Sequence, residues 1–135
     1  MTRKEQQRFD ALVEDAIESL PGKFRRYIDE VPVVVLDEPT PDILRDLGID
    51  PADQTALDEM CGLHTGIAMT ERSVADSDVP TVIHLFRRGI VALAGGWDSD
   101  NADDEIYEEV RTTLLHEIGH HFGLDEDDLD QLGYG

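Results

Sequence analysis

Thr112-Thr113-Leu114-Leu115-His116-Glu117-Ile118-Gly119-His120-His121-Phe122-Gly123-Leu124-Asp125-Glu126 is the stretch on which the reading of this chain turns. Leu114, Leu115, Ile118 and Phe122 recur at helical spacing, which predicts a helix running to about Phe122 with an apolar back for the core. At about 100° per residue, His116 and His120 fall about 40° apart and one turn along the axis, so both imidazoles reach a single ion. Glu117 lies about 100° from His116 and about 60° from His120, at the edge of the same face. A carboxylate there reaches a water on the metal without being a ligand itself. At this composition about 0.02 matches to His-Glu-x-x-His are expected by chance, so the motif carries weight before its context is considered.

The context extends it. Gly123 follows three residues after His120 and lets the chain leave the helix in a left-handed conformation, turning back under the metal. Glu126 is then placed to supply a third ligand, with Asp125 and Asp127 as alternatives, because a one-residue change in the turn exchanges them. The run Asp125-Glu126-Asp127-Asp128 also suits a solvated cap for a short helix at 128–132, and one carboxylate can turn inward while its neighbours stay wet. His121 points about 100° away from His120 and is expected to pack or to hydrogen-bond near the site rather than to ligate. His64 and His84 are single histidines in unrelated segments. Tyr134 is a candidate phenol donor to an oxyanion, against the plainer reading of a core plug.

Upstream, Phe9, Leu12, Val13, Ala16, Ile17 and Leu20 predict an amphipathic helix over residues 5–20, stopped by Pro21-Gly22. Val31-Pro32-Val33-Val34-Val35-Leu36 reads as a buried strand with Pro32 tolerated near its start. Residues 37–80 are cut by prolines and glycines into loops and two short helices, near 42–47 and 52–60. Thr81 to Phe86 and Ile90 to Ala94, joined by Arg87-Arg88-Gly89, are expected to form a hairpin. Acidic residues crowd from Asp98 to Glu109 ahead of the motif helix, where the helix dipole favours them. A calcium loop beginning at Asp98 would place Asp100, Asp104 and Glu109 at ligand positions, but Ala102 and Asp103 stand where an oxygen ligand and a glycine are needed.

Composition narrows the function classes. A length of 135 residues suits a single domain over residues 1–135, and 40% hydrophobic content describes a globular chain. Eleven basic against 31 acidic residues give a net charge of -20, which repels nucleic acid and anionic membrane surfaces. The longest basic clusters are the pairs Arg25-Arg26 and Arg87-Arg88. Cys61 is the sole cysteine and reads as a small buried hydrophobe. Without an apolar signal core after Met1, a cytoplasmic location is expected, with a monomer as the default state.

The helix Phe9 to Leu20, the run Val31 to Val35, the segment Thr81 to Ala94, the block His116 to Leu124 with its acidic tail, and Leu132-Gly133-Tyr134 together resemble the small bacterial zincin-like metallopeptidases, or minimal zincins. The resemblance implies an α+β zincin-like fold, with a small mixed β-sheet packed on helices and the motif helix near the C-terminus. It also implies a zinc-dependent peptidase acting on a peptide or protein substrate. Two departures stand out. The family usually has Asp where this chain has Glu126, and its middle loop often reads Gly-x-Tyr-x-Gly where this one has Gly62-Leu63-His64-Thr65-Gly66. No Met follows Glu126, so the Met-turn of metzincins is absent.

On this reading Zn2+ is held by His116, His120 and Glu126, and Glu117 is the general base for hydrolysis of the peptide bond. Substrate backbone would pair with the expected strand Ile90 to Ala94, and the acidic rim would favour cationic or neutral peptides. Two other functions compete: a catalytically silent zincin scaffold acting through protein contacts, and a metal-dependent endoribonuclease. The second is opposed by the charge and by Glu126 standing where that class has a third histidine.

Overall fold

The computed structural model describes residues 1–65 and 82–121, with the side chains of His64, Thr65 and His121 outside that description. Helix α1 spans Arg3–Ser19 and opens with a reciprocal cap: the Thr2 hydroxyl accepts from the Glu5 amide at 3.1 Å, and the Thr2 amide donates to Glu5 Oε1 at 3.0 Å. Its buried residues Phe9, Val13 and Ala16 form the expected stripe. Pro21-Gly22 ends α1 but does not end helical structure. A second helix, α2 (Gly22–Glu30), starts directly after Pro21 and buries Phe24 and Tyr27. A proline at a helix boundary gives up an amide that would have no partner there, so the same dipeptide that stops one helix can start the next.

Strand β1 (Val33–Leu36) follows, then the short helices α3 (Pro41–Asp46) and α4 (Gln54–Glu59). Both short helices lie where proline and glycine punctuation placed them. Thr40 caps α3 by accepting from the Ile43 amide, and Asp53 caps α4 by accepting from the Ala56 amide. Two further strands, β2 (Gly62–Thr65) and β3 (Val82–Phe86), complete a sheet of order β1-β3-β2. β1 runs parallel to β3 with Val33 opposite Ile83, and β2 runs antiparallel with Gly62 opposite Leu85.

The expected hairpin over 81–94 is not formed. Residues Arg87–Ala94 are a helix, α5, and the antiparallel neighbour of β3 is β2, which precedes it. Burial explains the outcome. Ile90, Val91 and Ala94 are buried while Ala92 is exposed and Leu93 is 64% exposed, a helical pattern where a strand would alternate. Gly89, read as a turn glycine, is instead a point of close approach: a Cβ there would collide with the Met60 carbonyl. Gly95, with φ of 100°, closes α5 in the left-handed region.

The last described element, α6, spans Ala102–His121. Ala102, Ile106, Val110, Leu114 and Ile118 are buried along its back and join Phe9, Val13 and Ala16 of α1, Phe24 and Tyr27 of α2, Ile83 and Leu85 of β3, and Ile90 of α5 in one core cluster. The fold is therefore α+β, with a three-stranded mixed sheet and the motif helix packed into the same core. Arg87 joins distant parts of it. Its guanidinium, 12% exposed, makes hydrogen bonds of 2.9 and 3.0 Å to the two Asp10 carboxylate oxygens on α1 and one of 2.9 Å to Asp37 beyond β1. Arg88 binds Asp58 and Glu38. The basic pair noted in the sequence is thus engaged with carboxylates of the same chain. Among the described residues no helix is long and apolar enough to cross a membrane.

Candidate metal and catalytic site

Helix α6 sorts its residues by face. A strict four-residue step of buried side chains from Ala102 to Ile118, with Leu115 at 1% exposure, fixes the rotation of the helix about its axis. With the back committed to the core, His116 and Glu117 come out half-buried and His120 exposed. The structure therefore brings His116, Glu117 and His120 to one face of a single helix, the imidazoles separated by four residues, a rise of about 6 Å. Two imidazoles in this relation suit zinc, and Glu117 beside them is left free of the metal. The proposed third ligand Glu126, its alternatives Asp125 and Asp127, the turn residue Gly123 and Tyr134 lie outside the described residues.

Strand β2 flanks this face. Gly62 sits directly on α6: a Cβ there would be 2.6 Å from Thr113 Cγ2, 3.0 Å from the His84 carbonyl oxygen and 3.5 Å from Glu117 Cγ. Only a residue without a side chain permits that approach. Thr113, buried at 8% exposure, lies one turn before Glu117 and fills the space above the glycine. Beyond a glycine heading a short segment, nothing in the local sequence marks Gly62 or Thr113 for this part. The contact is non-local.

Cys61, just before β2, is half-buried, and its thiol is pushed up to about 11 by burial first and then by the carboxylates of Glu109 and Glu117. It is a poor nucleophile, as its reading as a packed hydrophobe implies. His84 pairs in register with Val34 and Leu63 and stacks on Phe86, with ring centroids 6.0 Å apart. Gly62 and its partner Leu85 face α6, so the alternation of β3 places His84 on the opposite side of the sheet. Its Nδ1 is buried without a hydrogen-bond partner, and burial lowers its pKa. His84 is thereby removed from the ligand candidates. His64 is paired with Ile83 through the strand backbone.

The acidic residues before the motif are helical. Because α6 begins at Ala102, residues 98–109 cannot wrap a calcium ion as a loop. Asp104, Glu105, Glu108 and Glu109 instead line a groove of about 480 Å³ with Leu93, Ala94 and Asn101, between α5 and α6. Helix geometry sets Glu105 and Glu109 each within about 20° of His116 in rotation, so groove and imidazoles share one stripe. A larger groove of about 730 Å³, lined by Glu5, Asp37, Arg88 and Trp97 among others, contains no motif residue.

A family model for zincin-like metallopeptidases matches residues 28–135, a span that includes the whole sheet, α6 and the motif. This chain belongs to the zincin-like metallopeptidase family. Members of this family generally bind zinc and are peptide-bond hydrolases as a class. The zincin-like match begins within α2, so α1, which supplies Phe9, Val13 and Ala16 to the back of α6, precedes it. No curated protein matches the chain.

Proposed function

We propose that this zincin-like chain is a zinc-dependent peptidase in which His116, His120 and Glu126 hold the metal and Glu117 is the general base. The observation that supports it is the single face of α6 that presents both imidazoles and Glu117 while the opposite face is fixed in the core. Bound there by these residues, zinc would supply Lewis acidity to the water and to the scissile carbonyl. Glu117 takes the proton of the attacking water and returns it to the leaving nitrogen, so one carboxylate serves both halves of the reaction. Its stem passes close to Gly62, with Cγ 3.5 Å from where a Cβ of that residue would stand.

The substrate strand is proposed to add to β2. Residues 90–94 are helical and offer no strand edge, whereas β2 is at one edge of the described sheet, beside Glu117. Main-chain pairing there would hold an extended peptide alongside the ligand face. The acidic groove in line with His116 would favour lysine and arginine side chains on one side of the scissile bond and repel acidic ones. The partner class is accordingly a peptide or protein, with nucleic acid disfavoured by the charge of -20.

The test is Glu117→Gln in the zinc-loaded protein, assayed against a peptide library. Zinc content is expected to be unchanged, with hydrolysis reduced by about 10²–10⁴-fold. Retained hydrolysis would discard Glu117 as the base, and absence of hydrolysis in the wild-type zinc form would leave a metal-binding scaffold without turnover.

A further inference from the structure

We propose that Gly62 is a positioning residue for Glu117, setting the distance between the general base and the strand edge that receives substrate. This rests on the reading of Glu117 as the base. Three observations converge on the position. Gly62 is the first residue of β2, so whatever fixes it fixes the start of the edge strand. Its missing side chain leaves a space bounded by Thr113 Cγ2 on the helix side and by the His84 carbonyl oxygen on the sheet side, at 2.6 and 3.0 Å from where a Cβ would stand. Neither boundary yields freely. The carbonyl is backbone of the central strand, and Thr113 is a β-branched side chain on a helix at 8% exposure, with few rotamers open to it. The third neighbour is Glu117 Cγ, 3.5 Å from where a Cβ would stand, so a side chain added at residue 62 would reach the stem of the base at ordinary van der Waals distance.

Thr113 and Glu117 are four residues apart and therefore neighbours on α6. A methyl at residue 62 drives a wedge between strand and helix at the point where the base emerges. Relief comes by lifting β2 from α6 or by turning Thr113, and either changes the relation of Glu117 to the strand edge. The α6 side chains nearest this position are those of Thr113 and Glu117, so metal binding by His116 and His120 is expected to be spared. Glycine is thus required here for close approach. Its backbone φ is not in the left-handed region, where only Gly48, Gly95 and Gly96 are found among the described residues.

The experiment compares wild type, Gly62→Ala and Gly62→Ala/Thr113→Ser, the last removing the Cγ2 atom that the new methyl would strike. Zinc affinity, kcat and KM are measured on the zinc-loaded chain. The carbon-13 signal of the Glu117 carboxylate, assigned by its loss in Glu117→Gln, is followed in parallel. Gly62→Ala is expected to lower kcat by about 10²-fold, the scale for a misplaced catalytic group, with KM and zinc affinity changed less than about threefold. The Glu117 signal should shift, and the double variant should return both readouts most of the way to wild type. An unmoved Glu117 signal overturns the proposal whether or not the protein hydrolyses peptides. A loss of zinc affinity that accompanies the fall in kcat, or a double variant as impaired as the single one, overturns it too. Wild-type protein inactive towards all peptides would discard the hydrolase reading, and the carboxylate signal would still decide the positioning claim.

Discussion

Helices α5 and α6 pack against each other, and they are held in place by different means. α6 runs for 20 residues with a continuous apolar back, so its orientation is set along its whole length. α5 has eight residues, buries only Gly89, Ile90, Val91 and Ala94, and is further held at its start by the ion pairs of Arg87 and Arg88 and by the approach of Gly89 to the Met60 carbonyl. An element anchored throughout can leave one face free for chemistry, because that face contributes little to its stability. A short element has fewer contacts, and each of them matters more.

Leu114→Ala, at a fully buried position on the back of α6, is expected to cost about 3–4 kcal/mol by denaturant unfolding, the usual range for leucine truncation in a core. Gly89→Ala should cost about 2–3 kcal/mol through overpacking against backbone, although only one carbon is added. Should Gly89→Ala prove the milder by a wide margin, α5 is less dependent on its first turn than described. Arg87→Gln is expected to cost about 1–2 kcal/mol: the guanidinium is largely buried, but Asp10 and Asp37 are 49% and 47% exposed and remain partly solvated when it is gone.

The smallest effect concerns pH. Burial lowers the pKa of His84 below its ordinary value of 6.5, so its neutral form is favoured in the folded state. As pH falls through 6.5 the unfolded chain takes up a proton that the folded chain resists, and stability declines. Above that value the histidine contributes no pH dependence. His84→Phe should keep a ring against Phe86 and flatten the stability curve between about pH 6.5 and 5 relative to wild type, as thermal unfolding across that range would register.

The same contrast accounts for what was legible in the sequence. α1 and α6 declare themselves by repeats of three and four residues long enough to exclude other periods. Ile90-Val91-Ala92-Leu93-Ala94 is too short and too uniformly apolar to separate a strand from a helix, and the decision falls to contacts with Met60 and the core that are distant in sequence. α2 was hidden by Pro21-Gly22, whose role as a stop is also compatible with a start. β2 was hidden because four residues beginning with glycine carry little alternation, and their pairing to β3 is imposed from across the chain. For the site, His116, Glu117 and His120 are legible because one helix encodes their geometry. Gly62 and Thr113 are not, since their contact exists only after strand and helix meet.

The distance along the chain between α1 and α6 has a consequence for synthesis. Arg8 reaches Asp103 at 2.6 Å across 95 positions, and the apolar stripe of Phe9, Val13 and Ala16 finds part of its cover on a helix made long after it. Until then the stripe lacks its α6 partner while the ribosome adds roughly 5–20 residues per second. The capping box at Thr2 and Glu5 favours the start of α1 through local bonds, and a net charge of -20 opposes contact between copies of the chain.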